Sequence, residues 1–222
     1  MNSNYKAGGG NKPQPFIPKG NGEESGQYTT DYQDDFIHQE NCTRAELERT
    51  LSKEELWAVG LYSDYRVGTS LNKAIRENKM LKTDEMLMNL IVNAIARHKL
   101  KKPVRVYRGI KVTREIFAKN FLAKYRAKEP ITGSAICSTS RGFARAAAGA
   151  KANDPSLISL VFYIELPKGY SALPIEDIAL DSQEREILLS SPRYLIDNIT
   201  DCSYGDFRFK RIRIQILGAI EQ

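Results

Sequence analysis

Pro103 divides this chain between two incompatible hydrophobic periods, and that division constrains the fold more than any other feature. Before it, "TRAE" (Thr43 to Glu46) and "SKEE" (Ser52 to Glu55) each place a hydroxyl three residues ahead of a glutamate, the capping-box pattern that starts helices. The spacing predicts two short helices over 44–67. "TDEMLMNLIVNAIARHKL" then sets Leu87, Leu90, Ile91, Ala94, Ile95 and His98 at helical spacing, behind Thr83 as the expected N-cap. His98 continues that stripe at a helix end, where packing or the helix dipole accounts for it better than catalysis does.

After Pro103 the runs become short, β-branched and aromatic, bounded by Gly, Pro, Asn and Asp: "VRVYRG", a helix behind Thr113, then "SAICSTS", "LISLVFYIELP", "EREILLS", "RYLID" and "FRFKRIRIQILGAI". No internal repeat is visible. The pattern predicts an α+β domain over 41–222, with a helical part (41–102) packed on a β-rich core (103–222) built as a twisted, mostly antiparallel two-sheet β sandwich. In the last run Phe207 and Phe209 are odd while Ile212, Ile214 and Ile216 are even, which predicts a bulge or bend near Lys210 and Arg211. Residues 1–40 hold "AGGG", "NKPQPFIPKG" and "NGEESG" with no apolar period, and read as a flexible Gly/Pro-rich arm or linker.

Composition narrows the chemistry. The 222 residues suit one domain with a full core. Cys42, Cys137 and Cys202 are odd in number with no close pair, which argues against a disulfide framework or a zinc knuckle and for free thiols in a reducing compartment. With two histidines, His38 and His98, a multi-histidine metal site or a His-activated nucleophile is not expected, so carboxylates, hydroxyls and arginines must carry any reaction. No apolar run reaches the ~18 residues of a membrane span, and "MNSNYKAGGG" lacks the apolar segment of a signal peptide. The formal charge of +6 is uneven: three lysines against six acidic residues leave 1–40 at −3 and the remainder at +9. A basic body favours acidic partners, nucleic acid or anionic cofactors.

Three short segments could form a site. "DSQEREILLSS" carries Glu184 and Glu186, which an extended strand would put on one face roughly 6–7 Å apart with Arg185 opposite. A solvated edge strand with alternating charge explains the same pattern. Arg108, in "VYRG", is expected at a strand end before a turn at Gly109, where its guanidinium could match a phosphate fork. Ser138, Thr139 and Ser140 end another strand, where hydroxyls also serve merely to cap the next turn.

"YRG" at 107–109, "STS" at 138–140 and "EREILL" at 184–189, in that order and behind the helical stretch "LYSDYRVGTSLNKAIREN", resemble the Arg-Ser-Glu class of mono-ADP-ribosyltransferases of bacterial exotoxins and bacteriophages. The resemblance covers 43–222 and implies transfer of ADP-ribose from NAD, with release of nicotinamide and no metal. It implies that Glu186 stabilises the oxocarbenium-like ribose, that Ser138 braces Glu186, and that Arg108, with Gly109 beside it, binds an NAD phosphate. Thr139 and Ser140 would shape the cofactor pocket. A glutamate two residues before the catalytic one goes, in this class, with modification of arginine, so Glu184 is expected to orient the incoming guanidinium and relieve its charge.

In "RGFARAAAGA" (141–150), Phe143 could stack on nicotinamide and Arg145 could reach phosphate, although the alanine spacing equally fits a helix packing its small face. Asp181, Ser182 and Gln183 would meet the acceptor. Tyr107 is expected in the core. The expected partner is a target or host protein presenting an arginine, met by a monomer in the cytoplasm of the host or target cell, without a membrane. An NAD glycohydrolase, an RNA acceptor and a non-enzymatic basic module are competing readings. Glu184 argues against the first, the lack of an aromatic-basic surface motif against the second, and the intact motif set against the third. A phage enzyme and a delivered toxin fit equally.

Overall fold

The computed structural model describes residues 42–133, 135–180 and 185–219. The arm expected over 1–40 lies outside these described residues, as does the segment Asp181, Ser182, Gln183 and Glu184.

Both capping boxes are present. Thr43 starts α1 (Arg44–Thr50) and Ser52 starts α2 (Lys53–Tyr62), each exchanging hydrogen bonds with the glutamate three residues on. Glu55 does more than cap: it is buried and ion-paired with Arg97 at 3.3 Å, which ties α2 to the end of the fourth helix. A third helix, α3 (Tyr65–Glu77), begins within the span expected for the second; Asp64 caps it by accepting the Arg66 N–H at 2.8 Å. α4 (Lys82–Arg97) starts ahead of Thr83, because the Asp84 carboxylate accepts the Leu81 N–H at 2.9 Å and closes the turn there. Leu87, Ile91, Ala94 and Ile95 face inward as the stripe requires.

β1 (Val104–Thr113) leads into α5 (Arg114–Phe117), capped by Thr113, then a π-helical turn (Ala118–Leu122) and α6 (Ala123–Ala127). β2 (Ile131–Thr132), β3 (Ile136–Ser140), α7 (Phe143–Ala150), β4 (Leu157–Leu166), β5 (Ala172–Pro174), β6 (Glu186–Ser190), β7 (Pro192–Tyr204) and β8 (Phe207–Ala219) complete the order. The α+β class is as expected. Two separate sheets are not confirmed: the eight strands share one hydrogen-bonded order, β2-β7-β8-β4-β1-β3-β6-β5, antiparallel except for the β4–β8 pair.

That sheet has a weak seam. β1 pairs with β4 over its full length, yet it meets β3 at a single position, Tyr107↔Ser140. Beyond that pair the strands part, leaving a five-stranded piece and the three-stranded piece β3-β6-β5. Side-chain parity then sorts the core. Cys137, Ile187 and Leu189 join Val106, Phe162 and Ile212 in one cluster, whereas Ile136 and Leu188 on the opposite face pack under α2 and α4.

The expected bulge at Lys210 and Arg211 is absent; pairing of β8 with β7 runs without a shift through both residues, and the two shifts fall between Pro192 and Tyr194 and between Ile196 and Asn198. The parity break has another cause. β8 is covered on both faces, with Phe209 in an aromatic cluster on one side and Ile212 and Ile214 in the main core on the other. Arg211 shares the aromatic side and lies 5.8 Å from the Tyr163 ring.

Candidate active site

The candidate residues gather where the seam opens. A cleft of about 540 Å³ lies between α3, α7 and the diverging strands, lined by Arg108, Ser138, Ser140, Arg145 and Glu186 together with Tyr62 and Asn72 of the helical layer. Antiparallel pairing puts Ser140 opposite Glu186 and Ser138 opposite Leu188, so both serines and Glu186 share one face. Ser138 is thereby diagonal to Glu186, and its hydroxyl hydrogen-bonds the carboxylate.

Glu186 is buried, and burial pushes its carboxyl above the usual glutamate range; the Ser138 hydrogen bond and the charges of Arg108 and Arg145 act in the opposite direction. A carboxylate so placed is desolvated, braced on one side and flanked by two cations. Its backbone is held too, since the Glu186 carbonyl accepts the Ile175 N–H at 3.0 Å. Immediately before it Arg185 adopts a left-handed conformation, φ 46°. The strand begins at Glu186; Glu184, expected to share its face, lies outside the described residues. The Arg185 carbonyl is fixed by the Arg141 N–H at 3.1 Å, and the buried Arg141 side chain is ion-paired with Glu176.

Arg108 is not at a strand end. It sits in the middle of β1, one residue past the last β1–β3 pair, and closes the gap the strands leave. Its Nη1 donates to the Ser138 carbonyl at 2.9 Å and to Cys137 Sγ at 3.0 Å. The neighbouring Cys137 is the main reason its pKa lies above the ordinary arginine value, so the charge persists throughout the working range. Nor does Gly109 make a turn. A Cβ there would overlap the Ala146 carbonyl oxygen and come within 2.8 Å of Ala150 N, so the glycine exists to let the backbone of α7 lie directly on β1.

That helix explains "RGFARAAAGA". Ala146, Ala147 and Ala150 form its buried small face. Phe143 does not line the cleft: it is buried in the aromatic cluster, 5.8 Å from the Tyr107 ring and 5.3 Å from that of Tyr204. An aromatic at the first turn of a helix with an alanine face is the residue that anchors the helix end, and here the core takes it. Arg145, in the same turn but exposed, does line the cleft. Tyr107 belongs to the core as expected. Thr139 lines the cleft as expected, although its side chain points to the opposite face from the serines, where the buried hydroxyl donates to the Ile187 carbonyl at 2.7 Å and ties β3 to β6. Ser140 Oγ accepts the Gly142 N–H at 3.0 Å, capping the turn into α7.

Sequence reasoning over single residues passed over the helical wall. Tyr62, Tyr65, Thr69 and Asn72 line the cleft. Asn72 Nδ2 donates to the Tyr62 hydroxyl at 2.9 Å, and burial pushes the Tyr62 phenol up to about 12, so it stays neutral. The signal was present: Tyr65, Thr69 and Asn72 follow i, i+4, i+7 on α3, a polar stripe beside the buried Gly68 and Leu71. Among the described residues no cluster of three or more His, Cys, Asp or Glu is placed to hold a metal ion.

Comparison with known proteins bears on what this cleft binds. Residues 40–214 match the family model described as ADP-ribosyltransferase exoenzyme. The fold is similar to that of Plx2a, an ADP-ribosyltransferase toxin from Paenibacillus larvae, at 21% identity over 87% of this chain and 96% of that one, TM-score 0.64. It is also similar to a C3 ADP-ribosyltransferase from Clostridium botulinum, at 18% identity over 80% and 98% of the two chains, TM-score 0.59. C3stau2 from S. aureus, solved with NAD, matches at 14% identity over 92% and 98%, TM-score 0.59. Curated protein sequences return no match.

Proposed function

Because the chain belongs to the ADP-ribosyltransferase exoenzyme family, with NAD as its substrate, we propose that it transfers ADP-ribose to an arginine side chain of a target protein. The observation that carries the reading is the Glu186 carboxylate, buried, braced by Ser138 and flanked by Arg108 and Arg145 in one cleft.

The reaction breaks the bond between ribose C1′ and the nicotinamide nitrogen. Nicotinamide leaves with the bonding electrons and becomes neutral, and positive charge develops on the ribose. A fixed anion beside that charge stabilises the transition state more than the ground state, and it does so most effectively where water is excluded. Glu186 meets that need: its orientation is set in advance by Ser138 and by the backbone bond to Ile175. Arg108 and Arg145 supply the positive wall that a diphosphate requires, with Arg108 able to offer a fork that lysine lacks. Asn72 and the neutral Tyr62 phenol line the cleft opposite.

The acceptor is read from Glu184. A guanidinium is cationic and a poor nucleophile, so its attack on C1′ needs a second carboxylate to orient it and take the proton it loses. Glu184 stands two residues before Glu186. The setting is the cytoplasm of a host or target cell, reached either as a phage product or as a delivered toxin.

Labelled NAD, agmatine as a free guanidinium and a target-cell lysate test this in one experiment. Glu186→Gln is expected to lose both nicotinamide release and labelling, while Glu184→Gln keeps much of the release and loses the label. Equal loss of both in the Glu184 variant refutes the division of labour. Nicotinamide release by the parent with no labelled acceptor makes it a glycohydrolase.

A further inference from the structure

Arg108 walls two cavities, and only the cleft above is absorbed by the proposed reaction. The second, of about 440 Å³, lies on the other face of the five-stranded piece, and Arg108 is the one residue the two linings share. Strand parity puts it in the main core: Ile110, Phe162, Ile164, Ile214, Ile216 and Tyr194 line it from β1, β4, β8 and β7 in spatial order. The far end is Ile131 and Thr132 of β2, four strand spacings from Arg108, roughly 19 Å along the sheet. Phe121 and Lys124 cover it from the π-helical turn and α6, and Cys137 and Leu189 from the three-stranded piece.

This is an elongated, mostly apolar chamber with Arg108 at its inner end; the other cation of its lining, Lys124, is already ion-paired with Glu129, and Asn120 and Thr132 are its neutral polar groups. Only Nη1 of Arg108 is engaged, by the Ser138 carbonyl and Cys137. Nε and Nη2 have no acceptor among the described residues. Apolar chambers of this volume with one or two convergent polar groups are the usual form of a small-molecule site. We propose that this chamber binds a medium-chain apolar carboxylate, its tail along the β1-β4-β8-β7 floor and its carboxylate on the unengaged donors of Arg108. Alkyl chain suits the lining, a bidentate anion suits the guanidinium, and neither half alone accounts for both features.

The site is separate from the NAD cleft but shares its arginine. On the reading that Arg108 also takes an NAD phosphate, the two ligands compete for one guanidinium and bind antagonistically.

Isothermal titration calorimetry with decanoate, below its micelle concentration, is the test. Saturable binding to one site is expected, weakened about tenfold or more in Ile216→Trp, which fills the chamber far from the cleft, and about tenfold for decanol, which lacks the charge. Ile216→Trp is expected to keep the parent melting temperature within a few degrees and its NAD cleavage unaltered, so loss of decanoate binding there is not loss of fold. No saturable heat from the parent, or equal affinity in Ile216→Trp, overturns the site; equal affinity for decanol overturns the role of Arg108 in it. Saturating decanoate is expected to weaken NAD roughly fivefold or more. Failure of NAD to bind without decanoate would count against the cofactor reading alone, because the calorimetric result decides the chamber independently.

Discussion

Gly109→Ala is the sharpest perturbation the fold offers. The added methyl would overlap the Ala146 carbonyl oxygen and lie 2.8 Å from Ala146 C and Ala150 N, where ordinary contact begins at 3.4 Å. These are backbone atoms of α7, so no side chain can swing aside and the whole helix must retreat from β1 by well over half an ångström. The retreat strips contact from Ala146, Ala147 and Ala150 and drags Phe143 in its aromatic cluster. Overpacking of this kind costs about 3 kcal/mol, a fall of roughly 6–12 °C in Tm for a domain of this size. Gly149→Ala is the internal control. It lies on the same helix, but its Cβ would meet only the Gly109 carbonyl oxygen, at 3.8 Å. With space available and a better helix former installed, a gain of about 0.5–1 kcal/mol is expected. Urea and thermal denaturation of the two variants beside the parent decide the matter. If Gly109→Ala unfolds with the parent, α7 does not rest on β1 and the account of the "YRG" glycine is wrong.

Four further outcomes follow from the geometry. Burial raises the Glu186 pKa, so the native state holds that proton more tightly than the unfolded chain does, and stability falls as pH rises from the ordinary glutamate value through the raised one. Glu186→Gln is therefore expected to be more stable than the parent near neutral pH, with the gain vanishing in acid, while nicotinamide release drops by about a hundredfold or more; a variant no more stable at neutral pH refutes the buried charge. Arg108→Lys is expected to weaken NAD about tenfold in equilibrium binding, because a point charge replaces a fork and the bond to the Ser138 carbonyl is disturbed. Thr139→Val is expected to cost about 1–2 kcal/mol in urea denaturation with KM for NAD unchanged, since its hydroxyl serves the Ile187 carbonyl; a raised KM would show that the hydroxyl itself, and not only the Thr139 backbone, serves the cleft. Phe143→Leu is expected to cost about 1 kcal/mol or more of stability and again to leave KM in place, its ring being in the core.

What could be read beforehand depended on whether local physics settled it. Capping boxes at Thr43 and Ser52, the α4 stripe and the β-rich remainder are short-range signals, and each appears. Convergence of Arg108, Ser138 and Glu186 came through motif order, and the cleft holds all three. The misplacements arose where long-range packing gave a residue a different task. Gly109 looked like a turn because nothing nearby in sequence announces a helix lying on it. Phe143 looked available until the aromatic cluster claimed it. The parity break in β8 read as a bulge because a strand buried on both faces carries apolar residues at both parities. The left-handed backbone at Arg185 is likewise something no composition rule indicates.

The single Tyr107↔Ser140 pair has a consequence for amide exchange. Ser138 and Glu186 belong to a three-stranded flap, whereas Arg108 belongs to a slab whose β7–β8 ladder extends through most of two thirteen-residue strands. Subglobal opening along that line exposes few backbone hydrogen bonds, so β3 and β6 are expected to exchange their amide protons sooner than β7 and β8. A dinucleotide held by Arg108 on one side and Glu186 on the other would staple flap to slab, and slowed exchange across β3 and β6 would register its arrival before any bond is broken.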